Sequence, residues 1–139
     1  MHQGSRRHTA YTPGALPVMS TEFTHLHVHS RYTLLGSTAP VTALAQRAMS
    51  DGMTRLALTD TNVLYGAVAF TRACQAAGIL PITGMLVNVT LPEDLAAQSS
   101  SLHGSGCLVL LATGPAGYSS LCTLSSLIQA RPDRLSASA

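Results

Sequence analysis

The chain has 139 residues, 46% hydrophobic and 10% charged, and so reads as one globular domain or a piece of one. Its net charge of +2, with eight arginines and no lysine, is too small to argue for nucleic-acid binding by electrostatics. No apolar run approaches the ~20 residues of a membrane span, and the first twenty lack a signal-peptide core, so the expectation is no membrane and a cytoplasmic location. Residues 1–20 combine Arg6, Arg7, Pro13 and Pro17 with Gly4 and Gly14, show no period and no acid, and are expected to form a disordered leader. Met19 is a second candidate start of translation.

The stretch Thr24-His25-Leu26-His27-Val28-His29-Ser30 alternates with a period of two. As a β-strand it places His25, His27 and His29 on one face. Two imidazoles two residues apart can reach one cation, because neutral imidazole is a common transition-metal ligand. A half-buried strand whose histidines are satisfied by backbone and water explains the same pattern as well. After a loop, Pro40 opens a helix with Val41, Leu44, Ala45, Ala48 and Met49 on one face, and Gly52 ends it. Leu56-Ala57-Leu58-Thr59 is a short apolar strand ending at Asp60. A second helix carries Ala67, Phe70, Cys74 and Ala77 inward and stops at Gly78.

Residues 79–90 read as strand, and residues 91–106, small and polar, as a surface loop. Cys107-Leu108-Val109-Leu110-Leu111-Ala112 is a continuous apolar run, expected to be a strand buried on both faces. Gly114-Pro115 starts a third helix with Tyr118, Leu121, Cys122, Leu124 and Ile128 inward, and residues 131–139 form a polar tail. Three widely spaced cysteines without a Cys-x-x-Cys argue against a disulfide framework or zinc knuckle; Cys74, Cys107 and Cys122 read as small core residues. His2, His8 and His103 fall in leader and loop and read as solvated, and Arg72 as an exposed helix residue. The order strand, helix, strand, helix, strand, strand, helix implies an α/β architecture with parallel strands and right-handed crossovers. Functional residues in such folds sit at the C-terminal ends of strands, where His27, His29 and Asp60 fall.

Phe23-Thr24-His25-Leu26-His27-Val28-His29-Ser30, followed by Tyr32-Thr33-Leu34-Leu35, resembles the first motif of the PHP (polymerase and histidinol phosphatase) domain, in the form found at the N-terminus of bacterial DNA polymerase III α subunits. Leu56-Ala57-Leu58-Thr59-Asp60 with Leu64-Tyr65-Gly66-Ala67-Val68-Ala69-Phe70 is similar to the second motif and the helix after it. Ala76-Ala77-Gly78-Ile79-Leu80-Pro81-Ile82-Thr83-Gly84 is similar to the third. The resemblance runs from about residue 23 to 129, and implies a partial distorted β/α barrel, roughly its N-terminal half, over residues 21–130. A barrel cut midway is expected to be marginally stable or to associate.

Active relatives in the family are phosphoesterases or metal-dependent exonucleases. Carried over, His27 and His29 match the two ligands of the first motif and Asp60 the aspartate of the second, while Tyr65 takes a pocket or packing position. Three positions depart from the pattern. The family's histidine after the second-motif aspartate is Thr61, its third-motif glutamate is Leu86, and the donor of the first loop is Gly36. Threonine is a poor zinc or manganese ligand, and leucine and glycine offer no side-chain donor. The resemblance therefore implies a vestigial metal site of His27, His29 and Asp60 that binds no cofactor tightly, with zinc or manganese as the ions it could take, and no catalytic residues. The chain is expected to act as part of a replicative DNA polymerase (a nucleotidyltransferase). Its partners would be the remainder of the α chain and the proofreading exonuclease subunit, and it would meet DNA only through the parent polymerase. The alternatives are a phosphoesterase of the histidinol phosphatase type and a stand-alone protein-binding module.

Overall fold

A computed structural model of the chain describes residues 23–90 and 105–132. The expected leader, most of the loop over 91–106, His103, Met19 and the tail beyond Pro132 lie outside the described residues. In chain order the elements are α1 (Val41–Ser50), β1 (Arg55–Leu58), α2 (Ala67–Ala76), β2 (Leu80–Thr90), β3 (Ser105–Leu111) and α3 (Pro115–Ala130).

Helical spacing sets the packing of the first half. Val41, Ala45 and Ala48 of α1 and Phe70 and Cys74 of α2 bury against Leu56 and Leu58 of β1 and Ile79. Both helices close in the same way. Gly52 and Gly78 stand at φ 75° and 71°, a region that L side chains avoid. The next N–H in each case turns back to the third-last helical carbonyl, Met53 to Ala48 and Ile79 to Cys74, both at 2.9 Å. These closures aim β1 and β2 alongside each other in parallel, with Arg55 opposite Leu80 and Leu58 opposite Thr83.

At Gly84, β2 changes partner. From Gly84 to Thr90 it pairs antiparallel with β3, Gly84 opposite Leu111 and Thr90 opposite Ser105. A Cβ at residue 84 would stand 2.6 Å from the Leu110 carbonyl oxygen and 2.9 Å from the Thr59 methyl, so only glycine fits the crossing. A second cluster forms beyond it, with Met85, Val87 and Leu121 packed by Leu64, Leu110, Leu124 and Ile128. The sheet is three-stranded in the order β1-β2-β3.

Several expectations need correction. The sheet is mixed rather than all parallel. Ser105 and Gly106 belong to β3, not to the loop before it. β3 is not buried on both faces: Leu108 and Val109 are 54% and 39% exposed, and β3 is an edge strand whose one strand neighbour among the described residues is β2. Cys107 is accordingly exposed, whereas Cys74 is buried and its thiol is pushed up to about 11 by burial. Arg72 is exposed and the inward faces of all three helices are as expected, except that Met49 at the end of α1 is 50% exposed and Tyr118 38%.

The histidine stretch is also irregular rather than a strand. Residues 23–30 run beside β1, where the His25 carbonyl accepts from Ala57 N–H at 3.0 Å and the Val28 carbonyl from Thr59 N–H at 2.8 Å. Three residues on one side span two on the other, and the extra residue is taken up in a bend at Leu26. An inserted residue reverses the alternation, so the three histidines do not form one stripe. His25 lines a cavity of about 260 Å³ with Val28, Leu44 and Met53, beside α1.

Candidate metal centre

His27 and His29 meet after the bend. Their Nε2 atoms are 2.9 Å apart, with ring centroids separated by 4.7 Å and planes inclined at 73°. The rest of the centre is built under them by Asp60, at the end of the segment that leaves β1. Its side chain is 1% exposed and accepts three hydrogen bonds of 2.7 Å. Ser30 N–H and the Thr33 hydroxyl donate to Oδ1, and the Ser30 hydroxyl donates to Oδ2. Ser30 and Thr33 are themselves buried, and Thr33 N–H bonds the Ser30 carbonyl at 2.9 Å, closing the turn that brings both to the carboxylate. Among the described residues, no buried side-chain nitrogen or oxygen is left without a partner.

Thr33 joins the two halves. Its Oγ1 lies 3.1 Å from His29 Nδ1 and accepts from Thr61 N–H at 3.1 Å while donating to Asp60. Asp60 thus reaches His29 through a hydroxyl. Burial holds His29 below the ordinary histidine value, helped by the neighbouring His27 and partly opposed by Asp60. A neutral imidazole is the form that binds metal.

Thr61 and Leu86 stand directly beside one another, joined by a parallel β-bridge, with Asn62 N–H donating to the Leu86 carbonyl at 2.7 Å. Asn62, at φ 59°, ties this corner to α3: its carbonyl accepts from Gln129 Nε2 at 3.2 Å and its Oδ1 from Asn88 N–H at 3.2 Å. Tyr65 is 64% exposed, with its hydroxyl 3.5 Å from Gln129 Oε1.

Two converging nitrogens suit a loosely held cation. They do not supply the three or four protein donors of a resident zinc, and no cluster of three or more His, Cys, Asp or Glu suited to a metal occurs among the described residues. Sequence reasoning missed Ser30 and Thr33. The signal for them was Asp60 itself: a carboxylate ending an apolar strand is buried, and a buried carboxylate needs donors nearby.

A profile of the PHP domain matches residues 25–137. The chain belongs to the PHP domain family. Within the family, this PHP domain is 41% identical over 113 residues to the DNA polymerase III subunit alpha of Halalkalibacterium halodurans, which covers 81% of the chain and 9% of the relative. It is 44% identical over 110 residues to the subunit of the same name from Bacillus subtilis, with 78% and 9% covered. The error-prone DNA polymerase of Symbiobacterium thermophilum is 42% identical over 99 residues, with 71% and 8% covered. The chain spans about 9% of the length of the DNA polymerase III relatives it matches. No described helix is long and apolar enough to cross a membrane.

Proposed function

We propose that this PHP domain is the N-terminal part of a bacterial replicative DNA polymerase III α subunit, folded as roughly the first half of a distorted β/α barrel, with a structural rather than a hydrolytic role. In this reading it supports the remainder of the α chain, offers a surface to the proofreading exonuclease subunit, works in the cytoplasm and meets DNA only through the parent polymerase. The kinship with polymerase subunits supports the context, and the donor-poor metal centre supports the role.

The observation that carries the loss of hydrolysis is the state of the donors. His27 and His29 present two nitrogens to one point. Three buried donors hold the Asp60 carboxylate, which leaves one lone pair of Oδ2 as the most it could add to the pair as a weak third donor. Thr61 and Leu86, side by side, offer a hydroxyl and a hydrocarbon where the family pattern has a histidine and a glutamate. Zinc or manganese then binds weakly and substoichiometrically, and no metal-bound water is poised for attack on a phosphoester.

Metal analysis of protein purified without chelator, paired with exonuclease and phosphomonoesterase assays in manganese, tests the reading. The expected result is low occupancy and no turnover. Tight occupancy by several ions, with turnover abolished by His27→Ala, would overturn it.

A further inference from the structure

We infer that Thr33 is the positioning residue of the histidine pair: its hydroxyl, locked to Asp60, fixes His29 in the Nδ1–H tautomer and turns the bare Nε2 towards His27. The inference rests on reading His27 and His29 as the donor pair. It follows from counting protons. A threonine hydroxyl has one hydrogen and two acceptor lone pairs. The Thr33 hydrogen goes to Asp60 Oδ1 at 2.7 Å, because a carboxylate oxygen accepts. Thr61 N–H takes one lone pair at 3.1 Å. Towards His29 Nδ1, also at 3.1 Å, Thr33 Oγ1 can then only accept, so Nδ1 carries the proton.

In neutral imidazole the proton sits on one nitrogen, so His29 Nε2 is left as an acceptor. It faces His27 Nε2 at 2.9 Å, and in the metal-free pair that nitrogen must donate. The two histidines therefore hold opposite tautomers. His29 is already in the state that ligates through Nε2, and His27 must move its proton to Nδ1 before it can join. The arrangement is the carboxylate–histidine orientation common behind metal ligands, here with a hydroxyl inserted between the two groups. Asp60 is buried, and Ser30 donates to it twice more, so Thr33 has no other strong acceptor to turn to.

Long-range proton–nitrogen correlation spectra of the isotope-labelled chain, taken with chelator at about pH 8, read the tautomers directly. Wild type is expected to show His29 as Nδ1–H and His27 as Nε2–H. Thr33→Ser, which keeps the hydroxyl, is expected to preserve this pattern. Thr33→Val, which keeps the shape and loses the hydroxyl, is expected to release His29 towards Nε2–H. A wild-type His29 carrying its proton on Nε2 overturns the inference whether or not Thr33→Val folds, and so does a folded Thr33→Val with an unchanged pattern. In parallel, zinc titration should show Thr33→Val binding roughly tenfold more weakly than wild type and Thr33→Ser close to it. Tight wild-type occupancy by several ions with the expected tautomers would sink the proposed function and leave Thr33's role standing. Weak zinc binding with the wrong tautomers would do the reverse.

Discussion

Replacing Asp60 is the most informative perturbation of this domain, because one side chain holds the first motif against β1. Its three hydrogen bonds are each 2.7 Å and are made by buried donors. A bond to a charged acceptor contributes about 1.5–3 kcal/mol, against about 0.5–1.5 kcal/mol for a neutral one. Asp60→Asn keeps Oδ1 for Ser30 N–H and Thr33 but sets an amide donor against the Ser30 hydroxyl, which must turn round to accept. Weakening each bond by about 1 kcal/mol gives an expected loss of about 3 kcal/mol. Asp60→Ala leaves three buried donors unpaired at about 1–3 kcal/mol each, comparable with the whole ~5–15 kcal/mol stability of a small domain. Urea unfolding followed by circular dichroism reads the difference: Asp60→Asn should lower the midpoint at unchanged slope, and Asp60→Ala should be largely unfolded in buffer. Asp51→Asn, which breaks only the exposed ion pair with Arg47, is the control and should barely move the midpoint. An Asp60→Asn midpoint indistinguishable from wild type would refute the reasoning, since it would mean that the carboxylate is not the anchor of the turn.

Stability should also respond to acid. His29 binds its proton less readily folded than unfolded, where its value is near 6.5, so the unfolded chain takes up the proton first. The contribution is therefore full above about pH 6.5 and lost as pH falls through the lower folded value; the groups facing the ring are His27, Thr33 and, through Thr33, Asp60. His29→Gln should flatten this part of a stability–pH profile, and an unchanged slope would show that another group is responsible. Gly36→Asp, which restores the missing donor of the first loop, should fail on its own. Its Cβ would meet the Thr33 methyl at 2.7 Å and cost about 1–3 kcal/mol of overpacking, whereas the pair with Thr33→Ser should recover most of that loss in thermal melts. Thr61→His with Leu86→Glu places two donors on bridged neighbours, yet in this chain alone isothermal titration should show zinc binding little changed from wild type, with the gain expected only in the parent polymerase; a large gain in the chain alone would refute this.

The helices were legible because their apolar spacing, from Val41 to Ala48 and from Ala67 to Cys74, is what packing uses, and because Gly52 and Gly78 end them by a mechanism local to the sequence. The metal pair was legible as residue types at a spacing of two. Its geometry was not, since the bend at Leu26 that takes His25 out of the stripe arises from an extra residue relative to β1, and pairing register is not written in the segment alone. β3 misled for a related reason. A continuous apolar run signals burial only when something covers both faces, and a periodicity argument cannot say which neighbours arrive. Ser30 and Thr33 were passed over because serine and threonine in a loop are unremarkable until the carboxylate they serve is in view.

The change of partner at Gly84 divides the molecule mechanically. The first hydrophobic cluster joins α1, β1 and α2 and ends at Ile79, just before β2, while the second joins β2 beyond Gly84 to β3 and α3. Between them run the backbone of β2, the Thr61–Leu86 bridge, the Asn62 corner and the bond from Ala112 N–H to the Thr83 carbonyl. Such a joint lets one unit open while the other stays closed. The β3–α3 half, with its partly exposed strand, is the weaker unit, so its amides should exchange with solvent sooner than those of β1 and of residues 80–83. Local unfolding would then peel the antiparallel hairpin away and leave the turn that holds His27 and His29 intact on its carboxylate.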